Sequence, residues 1–286
     1  LHQNSKNNTW LDARKLIVTS DHFQVARVNL DKSQKNIQES ISNQGKVYIT
    51  QGFIGANKDG QTTTLGREGS DYSAAILAWS VNANEVVIWK DVSGLLNADP
   101  KLFKKTEQLF KISFKEAIEL SYLGASVIHP KTIKPLQNKG IPLSIRSFLN
   151  DSQKGSVISN NGENDRDIPS FIFKPNQLLI SISTKDYSFI FEDHISELFR
   201  LFAEVGLKVH LMQNSALNFS ICGHIKTPLL PKLLSSLNEK YVVKYNEKVD
   251  LLSIRHYKDF ELPDIVKNQE IPVSYTHLTL PTIMPV

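Results

Sequence analysis

Over the first 158 residues, short apolar runs are separated by glycine-rich or polar breaks, and their spacing switches between a period of two and one near 3.6. Val47–Ile49, Glu85–Trp89 and Leu143–Arg146 read as strands, and Trp10–Val18 supplies another. Helices are predicted from Ser70, where Ala74, Leu77, Ala78 and Val81 share a face, and from Ser113. Such alternation builds an α/β layered sandwich with a mainly parallel sheet. The polar stretch Asn160–Asp167 (NNGENDRD) holds no apolar residue on which to found an element, so a domain boundary is expected there.

Behind it the pattern changes. Leu178–Ser183 reads as a strand, and Ile195–Val205 as a helix with Ile195, Leu198, Phe199 and Phe202 on one face and Gly206 as its stop. Leu207–Met212 and Ala216–Cys222 are alternating strands joined by a turn at Gln213–Asn214–Ser215. Thr227 and Pro228 suit the N-cap and first turn of a second helix ending near Leu237, and Tyr241–Tyr245 forms a last strand. The order β-α-β-β-α-β is ferredoxin-like, α+β, which fixes architecture and not function. From Val249 a further strand is expected, as if opening a second such unit.

Composition narrows the classes. With 286 residues, 41% of them hydrophobic, two domains with packed cores are expected. The net charge of +4 is spread without a block of like charges, so nothing points to nucleic acid or a membrane surface. No apolar run approaches the ~20 residues that span a bilayer. The single cysteine, Cys222, excludes an internal disulfide framework and suits a reducing cytoplasm. A start at Leu1 rather than methionine suggests a sequence cut from something longer.

Chemistry concentrates in QGFIGANKDGQTTTLGREGSDYSAAILAWS, which holds five of the 13 glycines. Ser70 is a plausible N-cap, and the free amides of the helix it would start, with the Arg67 fork beside them, could hold a carboxylate or phosphate. A glycine-rich turn before a helix is equally compatible with a purely structural role. The longer run settles more: TTTLGREGSDYSAA resembles the TTLGRGGSD signature of aspartate kinases, members of the amino acid kinase fold family. GFIG precedes it, WKDVSGLLNADP and SFKEAIELSYLGASVIHPKTIKPLQNKGIPLSIRS follow in the family's order, and WLDARKLIVTSD resembles an upstream family segment. The resemblance covers residues 10–158.

The resemblance implies the amino acid kinase three-layer sandwich and ATP-dependent phosphorylation of the L-aspartate side-chain carboxylate, with Mg²⁺ between phosphate oxygens. By matching positions, Arg67 would grip a substrate carboxylate, Glu68, Gly69 and Ser70 would line the aspartate pocket, and Asp71 would orient the catalytic groups. Lys90, Asp91, Leu96, Lys101, Ser126 and Val127 stand at nucleotide-contact positions, and no residue is assigned to a metal. Glu68 replaces a usual glycine, Lys101 a frequent arginine, and Ser126 a lysine or glutamine. His129 is read as a structural residue before a proline-started helix. The family's KFGGTS start and a glutamate upstream of the WLDAR-like segment are absent, so this chain alone is expected to be inactive or nearly so.

The expected organisation is a catalytic part at 1–159, a linker at 160–175, an ACT regulatory region at 176–271 and a non-native tail at 272–286. An ACT region implies an amino-acid effector and a homodimer, while His210 stands where lysine-sensing members carry aspartate, which predicts weak lysine inhibition. The compartment would be the cytoplasm, or a plastid for a plant-like source. The competing readings are a kinase of the same fold acting on glutamate, carbamate or a nucleoside monophosphate, and a non-catalytic ACT module.

Overall fold

The computed structural model describes residues 7–41, 45–125, 128–150, 152–163, 165–257 and 270–274. Ser126, Val127 and the expected tail beyond residue 274 lie outside the described residues.

The first strand, β1 (Asn8–Leu11), is shorter than expected. Asp12 accepts from the Arg14 N–H at 3.0 Å and caps a single helical turn, α1 (Ala13–Leu16), so the second half of Trp10–Val18 is not strand. Next comes α2 (Leu30–Ser40), capped by Asn29; it buries only Ser33 and Ile37, too thin a stripe to register as a helix in the pattern. β2 (Val47–Thr50) lies parallel to β1, and β3 (Ile54–Ala56) and β4 (Thr62–Thr64) form an antiparallel hairpin.

α3 (Gly69–Val81), β5 (Val86–Lys90), β6 (Lys111–Ser113), α4 (Phe114–Leu123), α5 (Pro130–Lys139), β7 (Leu143–Ser147) and β8 (Ser156–Ser159) complete the first half. Its main sheet runs β5-β7-β8-β6, parallel at both outer pairings and antiparallel between β7 and β8. Phe114, Ile133, Leu136, Leu143, Ile145 and Ile158 form the heart of the core between this sheet and its helices. A smaller cluster, Leu16, Ile17, Ile37, Leu65 and Ile76, packs α1 and α2 against α3. Ser113 caps α4 through the Glu116 N–H at 2.9 Å, and its own N–H donates to Asp165 at 2.7 Å. The polar stretch after β8 therefore folds back onto the start of α4.

The second half consists of β9 (Ser170–Thr184), α6 (Glu192–Glu204), β10 (Lys208–Asn214), β11 (Asn218–His224), α7 (Leu230–Lys240) and β12 (Tyr241–Arg255). The strands form one antiparallel sheet in the order β10-β11-β9-β12, the ferredoxin-like arrangement. Leu198 and Phe202 of α6 and Leu233 and Leu237 of α7 cover Ile180, Ile182, Phe219 and Ile221. Thr227 opens a turn of 3-10 helix capped by Lys226, so it precedes α7 without capping it.

The further strand expected from Val249 is not separate from the one at Tyr241–Tyr245. β12 is one strand that pairs with β9 from Tyr241↔Thr184 to Arg255↔Ser170, with register shifts around Val249. β9 likewise begins at Ser170, inside the segment expected as linker. These two long strands carry the ferredoxin-like sheet into the first half. There Phe171 donates its N–H to Asn97 O at 2.7 Å, and the Asn97 amide donates to Pro169 O at 2.9 Å. Arg255 clasps Glu116 through two bonds of 2.8 Å and reaches Glu119 at 3.4 Å, while His256 Nε2 lies 3.0 Å from Glu116.

Candidate functional site

β4 delivers the chain into Gly66–Ser70 at the start of α3. Gly66 takes φ +77 with Val25 against its open face, a conformation and a contact that glycine accommodates without strain. Gly69 is required by packing, because a Cβ there would stand 2.6 Å from the Phe53 ring. The Phe53 N–H donates to Ser73 Oγ at 2.9 Å and its carbonyl accepts from Leu65 N–H at 2.9 Å. The GFIG and GREGSD segments are thereby stitched together around the first turn of α3.

Ser70 is not the N-cap. Glu68 holds that place at φ +52 without a side-chain capping bond; the Gly69 N–H donates to Gly66 O at 3.0 Å, and the Ser70 and Asp71 amides of the first turn are left without a partner among the described residues. Arg67 is exposed and makes no hydrogen bond or ion pair with the described residues. An unpaired guanidinium beside a helix N-terminus presents one positive face to an anion. Asp71, in that same first turn, pairs with Lys90 Nζ at 3.1 Å, both side chains being largely buried. The residue expected to orient catalytic groups and a residue expected to contact nucleotide are thus held together, joining the start of α3 to the end of β5.

Past Lys90 the chain folds as a tight loop carrying Asp91, Leu96 and Lys101. Gly94, at φ +149, lies where a Cβ would strike Ser156 Oγ, and that hydroxyl accepts the Leu95 N–H at 2.8 Å. Leu96 bridges to Gln108, and Asp99 accepts the Lys101 N–H at 2.9 Å, with Asp91 and Lys101 exposed. The Phe148 N–H donates to Lys90 O at 3.0 Å, bringing a third, exposed aromatic segment to the same rim. The last two nucleotide-contact positions, Ser126 and Val127, fall outside the described residues. His129 caps α5, its Nδ1 accepting the Lys131 N–H at 3.1 Å.

Asn97 is the residue that motif reasoning passes over. Buried at 6% exposure, it accepts from the Glu107 N–H at 2.7 Å and bonds to Pro169 and Phe171, so the nucleotide-side loop and the base of β9 share one side chain. Its only sequence signal is an asparagine in a turn. A cleft of about 900 Å³ lies beside the glycine turn, between Phe23, Val25, Arg27, Tyr72 and Lys131. At Arg67–Asp71, by contrast, an unpaired guanidinium adjoins the Ser70 and Asp71 amides that have no partner among the described residues. Among the described residues no group of three or more metal-binding side chains comes together.

His210 faces Lys174, whose Nζ stands 3.0 Å from its Nδ1. Burial first, then Lys174, His224 and Lys208, hold the imidazole below its ordinary pKa, and burial likewise lowers Lys174. A neutral ring accepting from an ammonium accounts for this pair.

Taken together, an α/β sandwich, a glycine turn that presents an arginine and a helix N-terminus, and a second loop at a strand end define an anion-binding site of the phosphotransferase type. Residues 4–147 match the amino acid kinase family, and the chain belongs to that family. It is 32% identical to lysine-sensitive aspartokinase 3 of Escherichia coli over 86% of this chain and 56% of that protein. Against the bifunctional aspartokinase/homoserine dehydrogenase of Buchnera aphidicola it is 34% identical over 74% of this chain and 26% of that protein. The structure of E. coli aspartokinase III with lysine and aspartate superposes with a TM-score of 0.71 at 30% identity, covering 88% of this chain and 58% of that one. The aspartate kinase of Clostridium acetobutylicum gives 0.75 at 25% identity over 85% and 57%. The chain therefore spans little more than half, or about a quarter, of the relatives it matches.

Proposed function

We propose that this chain is part of an aspartate kinase, which transfers the γ-phosphoryl group of ATP to the side-chain carboxylate of L-aspartate. The observation that carries the reading is the unpaired Arg67 at the open N-terminus of α3, tied through Asp71–Lys90 to the loop of Asp91, Leu96 and Lys101. Arg67 and the first-turn amides, with Gly69 and Ser70, would take a carboxylate of aspartate. Lys90, Asp91, Leu96 and Lys101 would hold the nucleotide, together with Ser126 and Val127. Mg²⁺ would arrive with the phosphates and screen their charge. The relatives whose structures hold aspartate with lysine or with ADP support both halves of this assignment.

Residues 176–271 fit an ACT regulatory region after a catalytic part at 1–159, with the join at 160–175 occupied partly by β9. Its edge strand β10 and the exposed Tyr187, Phe189 and Phe191 suit a homodimer with a second copy and an amino-acid effector between them. Among the described residues no helix is long and apolar enough to cross a membrane. Bacterial and chloroplastic relatives make the cytoplasm or a plastid the fitting compartment.

Titration calorimetry of this chain with L-aspartate and with ADP tests the reading. Arg67→Ala should weaken aspartate binding by about 30-fold or more, the loss of a charge-assisted pair, and leave ADP binding unchanged. Asp91→Ala should do the reverse. Aspartate affinity that survives Arg67→Ala would overturn the assignment.

A further inference from the structure

The chain from Ser20 to Arg27 is tied to itself and to β4 without any ligand. Ser20 donates its N–H to Arg27 O at 2.8 Å, Ser20 Oγ accepts the Arg27 N–H at 3.0 Å, and Thr19 bridges to Val28. At its far end the Thr64 N–H donates to Phe23 O at 2.8 Å and the Ala26 N–H to Thr64 O at 2.9 Å. A loop so held is preorganised, and it forms most of the lining of the cleft of about 900 Å³; Tyr72 of α3 and Lys131 of α5 complete it. α3 and α5 pack against each other, which keeps those two positions together. The volume lies within the range of roughly 300–1,000 Å³ that holds small molecules.

Three donors on this lining are unspent. The Arg27 guanidinium, the Lys131 ammonium and the Tyr72 hydroxyl make no hydrogen bond or ion pair with other described residues. Burial pushes the Tyr72 phenol above its ordinary pKa, which keeps it a proton donor. The carboxylate on the lining, Asp21, accepts from the Asn57 amide at 3.0 Å. Phe23 and Val25, both exposed, add an apolar surface beside the donors, as does the Tyr72 ring. Side chains that offer cations and donors but little free acceptor select an anion. Donors on three separate elements suit the three terminal oxygens of a tetrahedral phosphate, where a planar carboxylate presents two. We infer that this cleft is a second anion site, distinct from Arg67 and the glycine turn, and that it takes a phosphate monoester bearing a small aromatic or apolar group.

Phenyl phosphate is the probe, followed by calorimetry and by NMR shifts of the Val25 and Val28 methyl groups. It should bind this chain at about 1 mM or tighter, and more tightly than inorganic phosphate or benzoate, each of which lacks one half of the match. Arg27→Gln and Lys131→Gln should each weaken it about tenfold, the loss of one charge-assisted bond, and Tyr72→Phe about threefold. Arg27 and Lys131 are exposed and their charges unpaired, so both Gln variants should keep the melting temperature of the unsubstituted protein. Arg67→Ala should leave phenyl phosphate affinity unchanged. Affinity that survives both Gln variants, or that falls only with Arg67→Ala, overturns the inference. So does benzoate binding as tightly as phenyl phosphate, or methyl signals of Val25 and Val28 that stay in place as the probe is added.

Discussion

Single side chains decide much of what this molecule can bind, and His210 illustrates how position and partner differ. The family resemblance leads one to expect a lysine-sensing carboxylate at its place, whereas its ring is spent on Lys174 at 3.0 Å. Lys174 in turn lies over Gly124, where a Cβ would come within 2.6 Å of its Cε, so the pair sits at the end of α4. Because the folded pKa of His210 is depressed, the unfolded chain takes up the proton first. The contribution is complete above the ordinary histidine value of about 6.5 and is lost as pH falls through the folded value. His210→Asp should place a carboxylate against Lys174, add on the order of 0.5–1 kcal/mol, and flatten the loss of stability between about pH 7 and pH 5. Urea unfolding at the two pH values measures it. An unchanged slope would show that His210 and Lys174 do not act as a pair.

At the scale of elements, the helix α4 is gripped from the far end of β12. Burial would push the Glu116 carboxyl up, but the Arg255 bonds, aided by His256, outweigh it and hold the group below the usual carboxylate range. The sign follows: this contact stabilises fully above an ordinary carboxylate pKa of about 4.3 and fails as pH falls through the lower folded value. Arg255→Met should cost about 2–3 kcal/mol at pH 7, less than a fully buried pair because Arg255 keeps a quarter of its side chain exposed, and should shrink the acid-side loss. Equal stability of the two proteins at pH 7 would remove Arg255 from any role in docking the sheet.

The same elements show what could be read from sequence. β5, β7 and β11 follow from clean periodicity, and the glycine turn from its motif; α3 is a helix as expected, but it buries Ser73, Ala75, Ile76, Ala78 and Ser80 and leaves Val81 of the expected face exposed, because it is apolar on several sides. The lower half of β9 does not, since Pro175, Asn176 at φ +56 and Gln177 break the alternation. Opposite them, Glu247 and Lys248 at φ +57 do the same to β12. Each interruption looks like a loop alone, and only cross-strand pairing, with Val249 opposite Gln177 and Leu251 opposite Lys174, makes them strand. The Lys90–Asp71 pair and the Asn97 hub were equally hidden, because both depend on segments far apart in the chain meeting in space.

For the whole molecule, the two halves are joined through buried polar groups and not by a slack tether. Asn97→Leu should strand the Glu107 N–H and the Pro169 carbonyl and cost about 2–4 kcal/mol. Because Asn97 serves both halves, that loss should lower a single unfolding transition in calorimetry; two separated transitions in the unsubstituted protein would show the halves to be independent. The paired interruptions in β9 and β12 then acquire a mechanical meaning. A two-stranded ladder cross-linked along its length resists stretching, and it bends most easily where its register slips. Here the slips on the two strands face each other, between the ferredoxin-like sheet and the anchors at Asn97 and Glu116. A swing of that sheet would pivot about this waist and arrive at the anchors as a small, opposed displacement, in the manner of a geared lever.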